Sequence, residues 1–185
     1  MTGDTPELRA AALQRLRNIL GEERFKLVTV STDGRSVSLS NENVAAFQKI
    51  GDDADNKDFS LGMAEILNST QTVEFRIADK FTLPDGTKVD LNTLKFAGGL
   101  TASGKDSSNG NIQIFVHPKA GEVVTKACEM LGGCTDRVTP NTGNLSITNE
   151  GVDAHEFGHG WDRLRSPRPS CGGRKTKHSR GMEVI

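Results

Sequence analysis

The chain has 185 residues, which is enough for one domain with a core. Its formal net charge is −1, so there is no general attraction to nucleic acid or to a membrane surface. No apolar run approaches the length of a membrane span, and the first residues do not resemble a signal peptide.

The N-terminal third predicts a helix, a hairpin and a second helix. Thr5-Pro6-Glu7 is typical of a helix start, and we expect this first helix to end at Gly21. Two strands, over residues 25–30 and 36–40, flank a turn sequence that includes Asp33-Gly34. Asn41 is expected to cap a short helix. These elements define a predicted N-terminal region, residues 1–58, that is either appended to the main domain or joined to its sheet.

The middle of the chain predicts one helix followed by strands. Residues 59–68 form the helix, and residues 72–78 alternate apolar with polar side chains as a half-buried strand does. A turn then leads to a return strand at residues 89–91. Residues 98–110 are rich in Gly, Ser and Asn, which predicts a loop. The run from Asn111 to His117 is the clearest strand in the chain, and we expect its sheet to pack against the last helix.

Residues 119–144 are predicted to be loop with one helical turn near residues 123–130. Two of the three cysteines, Cys128 and Cys134, lie there, and Cys171 lies nearer the C-terminus. Their spacing does not match a zinc finger. Free or buried thiols and a Cys128–Cys134 disulfide both remain open.

The sequence His155-Glu156-Phe157-Gly158-His159 is an H-E-x-x-H motif. On a helix, imidazoles four residues apart lie on one face and can bind one metal ion. The Glu between them projects beside that face, where it can polarise a metal-bound water. The residue types and their spacing therefore predict a zinc site held by His155 and His159. Two surface histidines on an amphipathic helix are the alternative.

The flanking residues favour the helix that this motif needs. At about 100° per residue, Phe157, Trp161 and Leu164 fall on one apolar arc, away from the two histidines. Thr148 or Asn149 can cap the helix, with an acidic residue in its first turn. Gly158 and Gly160 weaken a helix by about 1 kcal/mol each, and could permit close approach of a strand or substrate.

The span from about residue 59 to the end resembles the metallopeptidase-like domain found at the C-termini of bacterial RHS/YD-repeat proteins, a group related to effector-type zinc peptidases. The resemblance rests on the helix-strand block from Ile66 to Asp79, the strand from Asn111 to Pro118 and the H-E-x-x-H helix. It implies a zincin-like α+β fold, with a small mixed or antiparallel sheet packed on the active-site helix. It also implies a peptidase carried as a toxin or effector tail, in the bacterial cytoplasm or exported within a longer polypeptide.

A catalytic zinc needs a third protein ligand besides the two histidines. The metzincin layout requires Gly and His where this chain has Asp162 and Arg165, so that layout is excluded. Asp162 could orient a histidine, bind the metal, or be a solvated surface acid; we assign it the orienting role. We predict Glu183, at the start of a second helix, as the third ligand. That helix would be barely begun at Ile185, so the domain is expected to be truncated at its C-terminus.

The sequence therefore predicts a zinc metallopeptidase that hydrolyses a protein or peptide substrate. Glu156 is the expected general base. His178 or one of the tail arginines could donate to the oxyanion, and His178 is the preferred candidate. His117 either faces the site or is a structural histidine, and the second interpretation is preferred. The alternative function is a catalytically inactive zinc-binding or interaction module. The basic tail, Arg163 to Arg180, is interpreted as a solvated loop rather than a nucleic-acid site.

Overall fold

A computed structural model of the chain describes residues 5–50, 57–83, 86–94, 98–103, 112–130, 148–165 and 182–184. The helices within these ranges are α1 Pro6–Phe25, α2 Asn41–Lys49, α3 Lys57–Asn68, α4 Ala120–Met130 and α5 Asn149–Arg165. The strands are β1 Val28–Val30, β2 Val37–Leu39, β3 Val73–Ile77, β4 Lys80–Thr82, β5 Lys88–Asp90, β6 Gly99–Ser103, β7 Ile112–Val116 and β8 Met182–Val184. The predicted α+β class is confirmed. None of the described helices is both long and apolar enough to cross a membrane.

A four-stranded mixed sheet, in the order β3-β7-β6-β8, forms the centre of the fold. β3 runs parallel to β7, whereas β6 runs antiparallel to both of its neighbours. β7 is the strand that the sequence predicted most clearly. Its Ile112, Ile114 and Val116 enter one apolar cluster, while Phe115 enters a second one. Because both faces of β7 are covered, its apolar run is nearly continuous rather than alternating.

The larger apolar cluster lies between the sheet and helices α1, α2, α3 and α5. It unites Leu16 and Leu20 of α1 and Phe47 of α2 with Ile114 of β7 and Phe157 of α5. The expected packing of the sheet against the last helix is therefore confirmed. Apolar contacts in this cluster join elements on both sides of the predicted boundary between the N-terminal region and the main domain, and that division stays a prediction.

The smaller apolar cluster covers the other face of the sheet. The β4-β5 hairpin supplies Phe81, whose ring stacks on that of Phe115 with 3.7 Å between the ring centroids. Leu91 and Leu100 are fully buried beside this pair. The predicted return strand thus exists, at Lys88–Asp90, and its hydrogen-bonded partner is β4.

The expected loop over residues 98–110 is wrong at its first residues, because Gly99–Ser103 forms the inner strand β6. The glycines there allow close packing rather than a turn. A Cβ on Gly98 would lie 2.7 Å from Cγ2 of Val124 and 3.1 Å from Cγ1 of Val152. A glycine-rich sequence therefore marks the place where two helices approach the sheet, and composition alone does not distinguish this from a loop.

Three further expectations need correction. The single turn predicted near residues 123–130 is the 11-residue helix α4. The first helix does break at Gly21, as predicted, because this residue is non-helical at φ 73°; the correction is that a second helical segment continues α1 to Phe25. Glu183 does not open a second helix, because residues 182–184 form strand β8 against β6. Strand pairing explains the third case. Three residues are too few for a stable helix, whereas β6 supplies hydrogen-bond partners for their backbone groups.

Candidate metal centre

The helix that carries the H-E-x-x-H motif begins as the sequence predicts. Thr148 caps it, because its Oγ1 accepts a hydrogen bond of 3.1 Å from the backbone N–H of Gly151. Glu150 follows in the first turn and accepts a 3.1 Å hydrogen bond from Nδ2 of Asn18. Hydrogen bonds from the backbone N–H of Glu150 and from Asn18 lower the pKa of the Glu150 carboxyl. The start of α5 is thus fixed both by its own cap and by α1.

The two histidines of the motif converge on one point. Nε2 of His155 lies 2.8 Å from Nε2 of His159, and the ring centroids are 4.5 Å apart. His155 is exposed and His159 is half-buried, so the pair lies on the solvent side of α5. Tetrahedral zinc with typical Zn–N distances would hold two such nitrogens about 3.3 Å apart. The observed 2.8 Å is instead the length of a hydrogen bond between the two imidazoles, so the pair would have to open by about 0.5 Å to hold zinc in this way.

Glu156 lies on a different side of α5 from the exposed histidine. It is fully buried, and its Oε2 accepts a hydrogen bond of 2.5 Å from Oγ1 of Thr101 on β6. The same hydroxyl oxygen lies 3.1 Å from the backbone oxygen of Glu156. The sequence predicted this glutamate beside the metal face, whereas the structure turns its carboxylate toward β6; its access to a metal-bound water stays a prediction. Thr101 is a functional candidate that sequence reasoning missed, and no sequence pattern signalled it.

A buried ion pair anchors the motif helix to α1. Nε of Arg15 donates a hydrogen bond of 2.7 Å to Oδ2 of Asp153, and a second, shorter bond joins its Nη2 to Oδ1. Nη1 of Arg15 also donates to the backbone oxygen of His117, at 3.0 Å. Burial raises the pKa of the Asp153 carboxyl, and the Arg15 guanidinium opposes that rise. Arg15 lies within the apolar stripe of α1, between Ala12 and Leu16, which is the signal that could have revealed it.

His117 is a structural residue in this fold. Its Nδ1 accepts a 3.0 Å hydrogen bond from the backbone N–H of Lys119, and its Nε2 lies 3.2 Å from Oδ1 of Asn92. Both ring nitrogens therefore have partners within the protein. These contacts support the preferred sequence interpretation, in which His117 is a structural histidine rather than one that faces the site.

The structure brings together only part of the predicted site. Among the residues that it describes, no three His, Cys, Asp or Glu side chains are grouped to hold a metal. Glu183 is described at its backbone, where its Cα is the register partner of Thr101. Asp162 is exposed on α5. His178, Cys134 and Cys171 lie outside the described residues. The roles of Glu183, Asp162 and His178 stay predictions.

Comparison of the chain with protein-family models, with curated proteins and with solved structures found no match in any of the three. The resemblance to RHS-associated metallopeptidases therefore depends on the residues quoted for it. The geometry of the two histidines and of Glu156 is the independent observation on which a function can be argued.

Proposed function

We propose that this chain is a zinc-dependent peptidase that hydrolyses peptide bonds of a protein substrate. The observation that carries the proposal is the 2.8 Å approach of the Nε2 atoms of His155 and His159 on the accessible side of a helix. Between them in sequence stands Glu156, whose carboxylate is held in place by a hydroxyl donor. Two convergent imidazoles and an oriented carboxylate are the residue types that a hydrolytic zinc site requires.

We further propose that the fold is zincin-like. The motif helix α5 packs across β7 and β6: a Cβ on Gly160 would lie 3.0 Å from Cδ1 of Ile114, and Glu156 contacts Thr101. β6 is antiparallel to β7 and lies on the same side of α5 as the buried glutamate. This packing of a motif helix on a mixed sheet supports the proposal.

The proposed metal ligands are His155, His159 and Glu183. Support for Glu183 comes from the register of the sheet, since its Cα pairs with that of Thr101, the residue bonded to Glu156. Glu183 on β8 is thus the strand neighbour of Thr101, which binds the proposed base Glu156. Asp162, three residues after His159, is proposed to orient one of the histidines rather than to bind the metal.

Zinc bound here would supply Lewis-acid chemistry, acidifying water and polarising the scissile carbonyl. Side chains of the protein would transfer the proton and stabilise the oxyanion. The Glu156 carboxylate would accept the proton of the attacking water and pass it to the leaving amine. His178 would donate a hydrogen bond to the oxyanion. Because Glu156 is fully buried against Thr101, this step would require water to reach the enclosed carboxylate.

The partner implied by this chemistry is a protein or peptide, with no role for nucleic acid or membrane. The resemblance adds the proposal that the chain is the toxin or effector tail of a longer RHS-type polypeptide. An inactive zinc-binding or interaction module is the second candidate. It is favoured by one observation: within the described residues, only two metal-binding side chains converge.

Zinc content and proteolysis, measured side by side, test the proposal. Wild type and Glu42→Ala, which alters an exposed glutamate of α2, should each hold one zinc tightly, and Glu183→Ala should lose it. Wild type should cleave an unfolded protein such as casein, while Glu156→Gln should keep the zinc and lose cleavage. Cleavage that persists in Glu156→Gln would exclude the mechanism. Equally weak zinc binding by wild type and Glu183→Ala, without cleavage, would favour the inactive module.

A further inference from the structure

We propose that Thr101 and Gly99 of β6 form a specific seat for the Glu156 carboxylate, and that Thr101 is a positioning residue for the proposed hydrolysis. This inference rests on the proposed peptidase function. Two independent features of β6 carry it: a hydroxyl donor aimed at the carboxylate, and a missing Cβ that makes room for it.

The hydroxyl donor is fully enclosed. Thr101 has no exposed surface, and neither does Glu156. At 2.5 Å, the contact between Oγ1 of Thr101 and Oε2 of Glu156 is a short hydrogen bond. A threonine has one hydroxyl proton, and the carboxylate oxygen is nearer than the backbone oxygen at 3.1 Å. In an enclosed site of low dielectric constant, such a bond fixes orientation strongly.

The missing Cβ belongs to Gly99. A Cβ built there would lie 2.7 Å from Cγ, 2.8 Å from Oε1 and 2.9 Å from Cδ of Glu156, all closer than real Cβ atoms approach. Gly99 and Thr101 are two residues apart on a strand, so both belong to the same face of β6. One face of one strand therefore supplies both the space and the donor.

This arrangement matters for a proton-transferring group because a general base must be held close to its productive position. Without the Thr101 hydroxyl, the buried Glu156 carboxylate would lose the hydrogen bond that orients it and would adopt a different position against β6. A misplacement of about 1 Å can lower a rate by about 100-fold. We therefore expect the seat to affect the chemical step and to leave metal binding by the histidines unchanged.

The test uses two substitutions at one position and a matched control. Thr101→Val removes the hydroxyl and keeps the shape; Thr101→Ser keeps the hydroxyl. Thr29→Val makes the same change at an exposed position of β1. We expect Thr101→Val to lower kcat about 100-fold with KM and zinc content unchanged. Thr101→Ser should stay within a few-fold of wild type, and Thr29→Val should match it. Wild-type kcat in Thr101→Val would overturn the inference.

A second readout does not depend on catalysis. In protein labelled with ¹³C at the glutamate carboxyls, the Glu156 signal is assigned by its loss in Glu156→Gln. Its chemical shift should change in Thr101→Val and in Gly99→Ala. It should be unchanged in Thr101→Ser and in Gly151→Ala, which is the matched glycine substitution on α5. An unchanged chemical shift in Thr101→Val would show that Thr101 does not hold the Glu156 carboxylate. If wild type binds zinc but cleaves nothing, the peptidase proposal fails, and this signal alone decides whether the seat exists.

Discussion

Arg15 and Asp153, separated by 138 positions in sequence, form a bidentate ion pair in the interior, where Asp153 has no exposed surface. The pair joins the N-terminal helix α1 to the helix that carries both histidines. Breaking a buried pair from one side leaves a charge without compensation, whereas replacing both partners with apolar residues is often tolerated.

We therefore predict that Arg15→Ala lowers the free energy of unfolding by about 3–5 kcal/mol. The double variant Arg15→Met/Asp153→Leu should recover most of that loss. Arg17→Ala, which removes an exposed ion pair with Glu22 on the same helix, should cost less than about 1 kcal/mol. Urea denaturation of the four proteins measures these differences. Equal losses for Arg15→Ala and Arg17→Ala would show that the buried pair does not anchor α5.

The first turn of α5 gives a prediction of pH dependence. The pKa of Glu150 in the folded protein lies below its ordinary value of 4.5, so its charged form contributes stability above pH 4.5. That contribution should disappear as the pH falls below 4.5 through the folded-state pKa. Glu150→Gln should be less stable than wild type at pH 7 by about 0.3–1 kcal/mol, the range for an anion in the first turn of a helix at the protein surface.

Unfolding of wild type and Glu150→Gln at a series of pH values tests the sign of this effect. The two stability curves should converge toward the acid end of the series. A gap that widens as the pH falls would contradict the assigned direction of the Glu150 pKa shift.

Two glycines of α5, both expected from the sequence to weaken the helix, should respond differently to alanine. A Cβ added to Gly158 would meet no atom within 4 Å, whereas a Cβ on Gly160 would lie 3.0 Å from Cδ1 of Ile114. Gly158→Ala should raise the unfolding free energy by about 0.5–1 kcal/mol, because alanine loses less backbone entropy. Gly160→Ala should gain less or lose stability. Thermal unfolding of both variants decides this, and an equal gain in both would contradict the close packing of α5 on β7.

Zinc should stabilise the folded protein through the histidine pair. Free zinc at about 100 times its Kd should raise the unfolding free energy by about 2.7 kcal/mol, because it binds the native state. His159→Ala should abolish this gain, since one of the two converging imidazoles is lost. Denaturation with zinc, with a chelator and with magnesium measures the effect. The same zinc-dependent gain in His159→Ala would place the metal elsewhere.

Several elements could be predicted because their cause is local. The cap at Thr148, the apolar arc of Phe157, Trp161 and Leu164, and the strand Ile112–Val116 follow from side-chain periodicity and capping chemistry. The secondary structure was predicted wrongly where contacts between residues distant in sequence determine it. Gly99 lies in a strand because α5 approaches there, and residues 182–184 form a strand because β6 offers an edge.

By itself, the sequence determined that His155 and His159 share one side of a helix, because a spacing of four residues is a property of any α-helix. Only the tertiary structure decided what surrounds them. Thr101 lies 55 residues from Glu156 and Arg15 lies 138 residues from Asp153, and their contacts require the sheet and α1 to be assembled around α5. Helical periodicity fixes which residues face together, whereas the partner of a buried charge is fixed by packing between elements distant in sequence.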